Sequence, residues 1–206
     1  MIMNRIEDIL TFWFEGVTDD TVIDRQGRPF CKWFAKDDLF DRNIREVFGR
    51  DLAEAARGGH KSWEGSARGV LALIILFDQF SRNMHRGTPA MFAADPPALR
   101  LTLDAIAARR DRELDLIERI FLAMPLLHAE SLEAQTMSVG YFGELAWESK
   151  IKNIRNTPYY EYTLGFAKRH HAIVTRFGRF PHRNAILGRV TTPGEREFLL
   201  QKGSSF

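Results

Sequence analysis

The sequence predicts an all-α fold, and three observations lead to this class. Apolar side chains recur at steps of three and four residues through most of the 206 residues, which is the period of an amphipathic helix. The run VLALIILF, residues 70–77, is apolar on nearly all sides of such a helix, as expected of a central buried element. No run alternates between apolar and polar residues, and no Asn-Gly turn indicates a hairpin of strands.

Three helices are predicted in the first part of the chain. The first carries an apolar stripe made of Ile6, Ile9, Leu10, Trp13 and Phe14. Asp37 or Asp38 caps the second helix, which stops at residues 57–59 because glycine accepts the left-handed conformation found at helix ends. Ser66 opens the third helix, which contains the apolar run and extends to about Asn83.

Proline and capping residues mark the later helix starts. A capping oxygen precedes a proline at residues 88–89, 95–96 and 157–158. Residues 192–195 add a glutamate to this arrangement and complete a capping box. Pro125 begins or kinks a further helix that runs to about Trp147. We therefore expect about eight or nine helices, arranged as antiparallel hairpins with short loops in one domain over residues 1–206.

The composition is that of an ordinary globular protein, with 45% hydrophobic and 27% charged residues. Cys31 is the single cysteine, so an intrachain disulfide is excluded, and a buried, inert thiol is expected among its aromatic neighbours. Glu7 and Asp8 stand where a signal peptide would carry its apolar segment, and the longest apolar run is far shorter than the ~20 residues of a membrane helix. These features lead us to expect a cytoplasmic protein without a membrane segment.

The charge is small in total but uneven along the chain. The net charge is +2, yet residues 162–194 contain six Lys and Arg and no Asp or Glu. A local field of one sign attracts an anionic ligand or an acidic surface. The near-neutral total and the compact basic window argue against nucleic acid as the partner.

The first polar cluster, LFDQFSRNMHRGTP at residues 76–89, closes the most apolar helix. Asp78 and Arg82 are four residues apart and share a helix face, as do Gln79 and Asn83, and Arg86 follows in the exit loop. One interpretation is the rim of a groove, in which arginine binds a carboxylate or phosphate and the amides orient it. The other is a simple Asp–Arg helix pair followed by a basic C-terminal cap.

The second cluster, RFGRFPHRNAILGR at residues 176–189, is rich in cations and has no carboxylate. Gly178 is expected to end a helix, and the flanking aromatic side chains and Pro181 hold the segment rigid. The polar residues of this rigid segment are Arg179, His182, Arg183 and Asn184. Rigid donors suit the recognition of an anion. Alternatively, the arginines pair with acids of the same chain, for which the candidates are Asp78, Glu130, Glu133 and Glu144.

Two further segments contain histidines that are candidates for catalytic or metal-binding groups. His128 and Glu130, in MPLLHAESLEAQ at residues 124–135, are two positions apart, about 200° around a helix, so we expect two separate structural hydrogen bonds. His170 lies on an apolar helix face and is expected to be a hydrogen-bonded core histidine. No metal-ligand spacing, phosphate loop, nucleophile elbow or dinucleotide fingerprint is present, so no metal or cofactor is expected.

Taken in order, several strings of the sequence resemble one family over essentially the whole chain. They include ILTFWF, LALIILFDQFSRN, HRGTPAMFAAD, MPLLHAESLEAQ, RFGRFPHRN and TTPGEREFL. They are similar to the DUF924 (domain of unknown function 924) proteins of bacteria and eukaryotes. The resemblance implies an all-α fold like that of tetratricopeptide-repeat (TPR) superhelices, and it implies no established reaction.

The resemblance also implies a set of polar motif residues. They are Asp78, Gln79, Arg82, Asn83, Arg86, His128, Glu130, His170, Arg179, His182, Arg183, Asn184 and Arg189. Two positions depart from the pattern. Ser81 replaces the proline that members usually carry, which would loosen a turn there, and Ala129 replaces a serine, which argues against a catalytic hydroxyl at that position.

Three functional hypotheses follow, and the catalytic residues and the oligomeric state stay open. The favoured one is a binding module whose groove, lined by the arginine, histidine and asparagine residues above, takes an anionic small molecule or an acidic peptide. The second is a hydrolase- or transferase-type enzyme that acts on an anionic substrate with His128 or His182 as acid and base. The third is an interaction scaffold in which the polar motifs are internal clamps.

Overall fold

The computed structural model describes residues 5–205, and over this range the fold is all-α, as predicted, without a strand. Nine helices follow one another: α1 Arg5–Phe14, α2 Arg28–Phe34, α3 Asp38–Ala56, α4 (segments Ala67–Ile74, Ile75–Phe80 and Ser81–Met84), α5 Asp95–Ala107, α6 Leu116–His128, α7 Leu132–Ile151, α8 Thr157–Phe177 and α9 Pro193–Leu199. Short 3₁₀ turns occupy Lys61–Gly65, Pro89–Phe92, Arg110–Glu113 and Pro181–Arg183.

Several predicted helix ends are confirmed by their hydrogen bonds. The Asp37 carboxylate accepts from the amides at the start of α3, and Ser66 accepts from the Gly69 amide at the start of α4. Thr192 and Glu195 form the reciprocal capping box of α9. Gly178 ends α8 at φ 69°, a left-handed conformation that costs glycine little.

The threonines and the aspartate that precede prolines do not cap helices as predicted. The Thr88 hydroxyl donates to the His85 carbonyl, and the Thr157 hydroxyl donates to the Ile154 carbonyl. Each hydroxyl therefore binds a carbonyl three residues earlier instead of an amide of the helix that follows. Asp95 is itself the first residue of α5, and its carboxylate contacts arginine side chains instead.

The predicted helix from Pro125 to Trp147 is wrong, because two helices occupy this region. Pro125 lies inside α6, which ends at His128, and the Ser131 hydroxyl caps a new helix by accepting from the Ala134 amide. The expected loosening at Ser81 is also absent, since α4 continues through this residue to Met84.

The core is a continuous cluster of buried apolar side chains that extends from Ile9 to Ala167. Helices α4 and α6 contribute the most completely buried segments, and edge-to-face aromatic pairs join them to α1. The Trp13 ring, for example, lies 5.7 Å from the Phe80 ring and 5.5 Å from the Phe121 ring. Such packing stabilises the fold mainly by removing apolar area from water.

Cys31 is exposed, so the expectation of a buried thiol is wrong. It lies on α2 two positions before Trp33, whose side chain is buried. Two positions correspond to about 200° around a helix, which places the sulfur on the side away from the core.

Helices α6, α7 and α8 are consecutive neighbours, with α7 packed against both of the others. The short connections at residues 129–131 and 152–156 make each pair antiparallel. The wider TPR-like superhelical arrangement stays a prediction. Across residues 5–205, no helix has the combination of length and apolar character needed to cross a membrane.

Candidate functional site

A cavity of about 540 Å³ lies beside α4, α6 and α8 and beneath the turn at Pro181–Arg183. Its polar lining residues are Gln79, Arg82, Asn83, Arg86, Tyr159, Tyr162, Thr163, His128, His170, His182 and Arg183. Its apolar lining residues include Phe30, Trp33, Phe34, Met91, Phe92, Met124, Leu127, Phe142, Phe166 and Ile186. The cavity therefore combines a large apolar wall with a cationic and amide-rich one.

The last turns of α4 supply one polar wall. Residues Ile75–Phe80 form a π-helical segment, a local widening that is frequent at functional sites. Gln79, Arg82, Asn83 and Arg86 line the cavity, and their spacing of three and four positions places them on one face. Asp78 is fully buried behind that face.

Asp78 holds three side chains of the polar wall in place. Its carboxylate accepts hydrogen bonds from Gln79 Nε2 at 2.6 Å and Arg82 Nη1 at 2.7 Å, and its Oδ1 lies 2.7 Å from His128 Nδ1. Burial by itself would raise the pKa of Asp78, but the charges and hydrogen bonds of these partners outweigh it and lower the pKa to about 2. The carboxylate is therefore ionised at neutral pH.

His128 is neutral at neutral pH and presents its second ring nitrogen to the cavity. Burial and the charge of Arg82 lower the pKa of His128 below its ordinary value, despite the nearby carboxylate. Nδ1 therefore carries the proton and donates to Asp78. Nε2 makes no hydrogen bond with any residue between 5 and 205, and the side chain lines the cavity with 19% of its surface exposed.

Arg183 is the most weakly neutralised arginine of the cavity wall. Its Nη2 donates to the His128 carbonyl at 2.9 Å, while its Nη1 lies 3.6 Å from the Asp95 carboxylate. Its Nε is buried and has no hydrogen-bond partner within the described part of the chain. Burial, followed by repulsion from Arg82, lowers the pKa of Arg183 to about 10. The guanidinium nevertheless stays charged at neutral pH.

Two aromatic rings fix the plane of this guanidinium. The Arg183 Cζ atom lies 4.6 Å from the Phe92 ring centroid and 4.6 Å from the Phe180 ring centroid. Cation–π contacts of this kind stabilise a buried cation without using its N–H donors. The Arg183 donors that are not bound to the His128 carbonyl are therefore held in a fixed position.

Asp95 joins the two distant polar clusters. Its carboxylate lies 3.0 Å from Arg82 Nη2 and 3.6 Å from Arg183 Nη1. Burial raises the pKa of Asp95 above its ordinary value, and Arg82 opposes this shift only in part. Sequence reasoning did not assign Asp95 to the site, because it was interpreted as a helix cap.

Arg86 and Asn83 line the cavity but are bound to an acid of α3. Arg86 donates two hydrogen bonds to Asp41, at 2.6 and 3.0 Å, and Asn83 Nδ2 donates to the same carboxylate at 2.7 Å. Burial raises the pKa of Asp41, and Arg86 and Asn83 outweigh this effect and lower it. The charge of Arg86 is therefore compensated within the protein.

Glu130 lies outside the cavity and anchors the second cluster. Its carboxylate accepts two hydrogen bonds from Arg189, at 2.6 and 2.9 Å, and one from the Phe180 amide at 2.7 Å. His128 and Glu130 therefore have separate structural partners, as predicted. The contact of Arg189 with Glu130 is one of the internal clamps that the scaffold hypothesis described.

Arg179 and Asn184 do not line the cavity either. Both donate to Glu195 on α9, Arg179 with two hydrogen bonds at 2.7 and 2.9 Å and Asn184 with one at 3.2 Å. The sequence-based candidate partners of Arg179 did not include Glu195. The two residues therefore join the segment to α9, and the polar side chains of that segment that line the cavity are His182 and Arg183.

His170 and His182 complete the polar end of the cavity. His170 Nδ1 lies 2.9 Å from the Phe166 carbonyl, which confirms the predicted hydrogen-bonded core histidine. Burial lowers the pKa of His170 to about 3 and that of His182 to about 4. Both rings are therefore neutral at neutral pH.

The aromatic wall of the cavity was missed in the sequence. On α8, the residues that line it are Tyr159, Tyr162, Thr163, Phe166 and His170. Their spacing of three and four positions extends the apolar face on which His170 was placed, so this part was detectable. The contribution of Phe30, Trp33 and Phe34 from α2 depends on a long-range contact that local spacing does not encode.

The geometry suits binding of a molecule that carries a negative charge and an apolar body. It offers one under-compensated guanidinium, one neutral imidazole backed by a carboxylate, and a predominantly aromatic enclosure. Among residues 5–205, no group of three or more His, Cys, Asp and Glu side chains has the arrangement of a metal site.

Comparison with known proteins identifies relatives but no reaction. A structure of a protein of unknown function, ATU0120 from Agrobacterium tumefaciens, is similar at 36% identity with a TM-score of 0.77, and the match covers 95% of this chain and 97% of that one. No curated protein matches the chain. The family described as "Bacterial protein of unknown function (DUF924)" matches residues 9–203. The chain therefore belongs to the DUF924 family.

Proposed function

We propose that this protein binds a small amphipathic anion, a carboxylate or phosphate ester with an apolar body, in the cavity between α4, α6 and α8. The proposal depends on one observation, which is that Arg183 is buried in the cavity wall without a close carboxylate partner. This cation is 7% exposed, lines the cavity, and has its nearest carboxylate contact at 3.6 Å. A buried guanidinium without a close anion is costly, and a ligand anion would remove that cost.

The other arginines of the two clusters support the assignment by contrast. Arg86, Arg179 and Arg189 each donate two hydrogen bonds to one carboxylate of the protein. Forked pairs of this kind satisfy the cation and fix it to the scaffold. Arg183 differs in having a carbonyl partner and two aromatic faces, which hold it in place without neutralising it.

The walls of the cavity favour a small molecule over an acidic peptide. A volume of about 540 Å³ falls within the usual range for small-molecule sites, which are mostly apolar with a few polar groups. The apolar wall contains Trp33, Phe142 and Phe166, which would cover an aliphatic or aromatic body. An acidic peptide would place polar backbone against these rings without hydrogen-bond partners.

The proposal is tested by calorimetric titration with decanoate and a decyl phosphate, with decanol as the neutral control, at constant ionic strength. We expect the anions to bind and the alcohol to bind weakly or not at all. Arg183→Gln should weaken the binding of the anions by about ten- to a hundredfold, because it removes a charge-assisted hydrogen bond. Arg176→Gln is the matched control, since it removes an exposed charge of the same basic window and should leave affinity unchanged.

Three results would contradict the proposal. Equal affinity for decanoate and decanol would mean that Arg183 does not recognise an anion. Equal losses in the Arg176 and Arg183 variants would mean that binding reflects the general charge of the basic window. Failure of every anion to bind would favour the scaffold hypothesis, in which the polar clusters are clamps.

A second candidate function, acid–base catalysis, is favoured by the contact between Asp78 and His128. An imidazole whose Nδ1–H donates to a buried carboxylate leaves Nε2 unprotonated as a proton acceptor, and the His128 side chain lines the cavity. Arg183 Nη2 bonds the His128 carbonyl, so the base and the cation occupy one end of the cavity. In this function His128 Nε2 would take a proton from water as the water attacks a bound ester, and it would return that proton to the departing alkoxide.

Catalysis is separated from binding by two variants of the same residue. His128→Gln retains a hydrogen-bonding side chain but removes the base, whereas His128→Phe removes both. Screening of carboxylic and phosphate esters for turnover should give activity in the wild type and none in His128→Gln, with ligand affinity retained. Activity that survives in His128→Gln would exclude this histidine as the base.

A further inference from the structure

Tyr159 lines the cavity and carries a buried hydroxyl that no described residue satisfies. The side chain is 3% exposed and lines the cavity, and its hydroxyl makes no hydrogen bond with any described residue. The neighbouring hydroxyls differ, since Tyr160 donates to Asp19 at 3.2 Å and Thr163 donates to the Tyr160 carbonyl at 2.8 Å. A buried phenol without a partner costs stability, which indicates a group that is used when the cavity is filled.

Helix α8 places Tyr159 far along the helix axis from the cationic end. Tyr159 and His170 are eleven residues apart on α8, which is about 16 Å along the axis at 1.5 Å per residue. His170 lies at the cationic end, because its ring is 5.3 Å from the Phe180 ring over which Arg183 is placed. The cavity wall between them is formed by Tyr162, Thr163 and Phe166.

We propose, building on the function above, that the ligand is an elongated amphipathic anion with an oxygen-bearing group, a hydroxyl or carbonyl, at the end opposite its acid. The acid binds Arg183, the apolar body lies along α8, and the distal oxygen accepts a hydrogen bond from Tyr159. Burial raises the pKa of Tyr159, so the phenol remains a neutral donor.

The test compares ω-hydroxy monocarboxylates with unsubstituted monocarboxylates of the same chain length, titrated into wild type and into Tyr159→Phe. The substitution deletes one oxygen and keeps the ring. Among chain lengths that span the cavity, we expect the ω-hydroxy acid to bind about tenfold more tightly in the wild type, and this advantage to vanish in Tyr159→Phe. Tyr160→Phe is the matched control, and the ω-hydroxy advantage should persist in it.

A second readout uses the protein without ligand. Because the Tyr159 hydroxyl lacks a hydrogen bond, Tyr159→Phe should unfold at the same temperature as the wild type or a higher one, while Tyr160→Phe should unfold at a lower temperature. A lower unfolding temperature for Tyr159→Phe would overturn the inference, since the hydroxyl would then be serving the fold.

The outcomes separate this inference from the proposed function. Equal affinity of both acids in the wild type, or an ω-hydroxy advantage that persists in Tyr159→Phe, overturns the role of Tyr159 while anion binding stands. Failure of both acids to bind overturns the proposed function, and the inference that rests on it falls as well.

Discussion

Asp78 and His128 are fifty residues apart in the sequence, and their side chains meet at 2.7 Å between Oδ1 and Nδ1. The contact joins the end of α4 to the end of α6 at the polar end of the cavity. The same carboxylate binds Arg82, whose other nitrogen contacts Asp95, and Asp95 in turn faces Arg183. The two polar clusters of the sequence thus form one charged network.

The network makes Asp78 important for stability. Asp78→Asn retains the size of the side chain but removes the charge that compensates the buried Arg82 guanidinium. Loss of one partner of a buried pair typically costs about 3–5 kcal/mol, so we expect a decrease of this order in the free energy of unfolding measured with urea. Asp104→Asn, in an exposed pair with Arg100, should cost less than about 1 kcal/mol. Similar costs for both variants would contradict the importance of the network.

Acid should begin to destabilise the protein at a pH above the range in which carboxylates titrate. His170 has a pKa of about 3 in the folded protein, against an ordinary value of 6.5 in the unfolded chain. The stability that depends on neutral His170 is therefore fully present above about pH 6.5. It declines as the pH falls toward 3, because the unfolded chain binds a proton that the folded protein does not.

His170→Phe provides the measurement of that effect. Between about pH 4 and 6, the variant should reduce the slope of unfolding free energy against pH by about 1.4 kcal/mol per pH unit, the value for one proton. Urea unfolding over a pH series gives this slope for both proteins. An unchanged slope would show that His170 is protonated in the folded state, contrary to its burial.

Two glycines should respond to alanine in opposite directions. Gly178 ends α8 at φ 69°, where a side chain is strained, so Gly178→Ala should lower the unfolding free energy by about 1 kcal/mol. Gly140 is exposed within α7 and has open space around the added carbon, so Gly140→Ala should raise it by about 1 kcal/mol. No loss in Gly178→Ala would contradict the assigned helix end, and a loss in Gly140→Ala would contradict an exposed, unstrained position inside α7.

Glu130 should stabilise the turn that carries Arg183. Glu130→Gln keeps an acceptor for the Phe180 amide but loses the ion pair with Arg189, and we expect a cost of about 1–3 kcal/mol in urea unfolding. Glu161→Gln is the control, because its pair with Lys150 is exposed on both sides and should contribute about 0–1 kcal/mol. Equal costs would mean that Glu130 is an ordinary surface acid.

The sequence predicted the helical class, the buried central helix and most helix ends, because these depend on local spacing and capping groups. It also identified the two polar segments that meet. It did not indicate which arginine would face the cavity, since Arg179, Arg183 and Arg189 look alike locally. That difference depends on the carboxylates of Glu130 and Glu195, which lie in other helices or loops. The aromatic residues of α2 were missed for the same reason.

Anion binding by Arg183 is tested most directly by a crystal structure of the protein with a bound long-chain monocarboxylate. We expect the carboxylate to lie within hydrogen-bond distance of the Arg183 guanidinium and the apolar chain to lie against the aromatic wall of α8. A structure grown at saturating ligand in which the acid lies elsewhere, with Arg183 paired closely to Asp95, would contradict it.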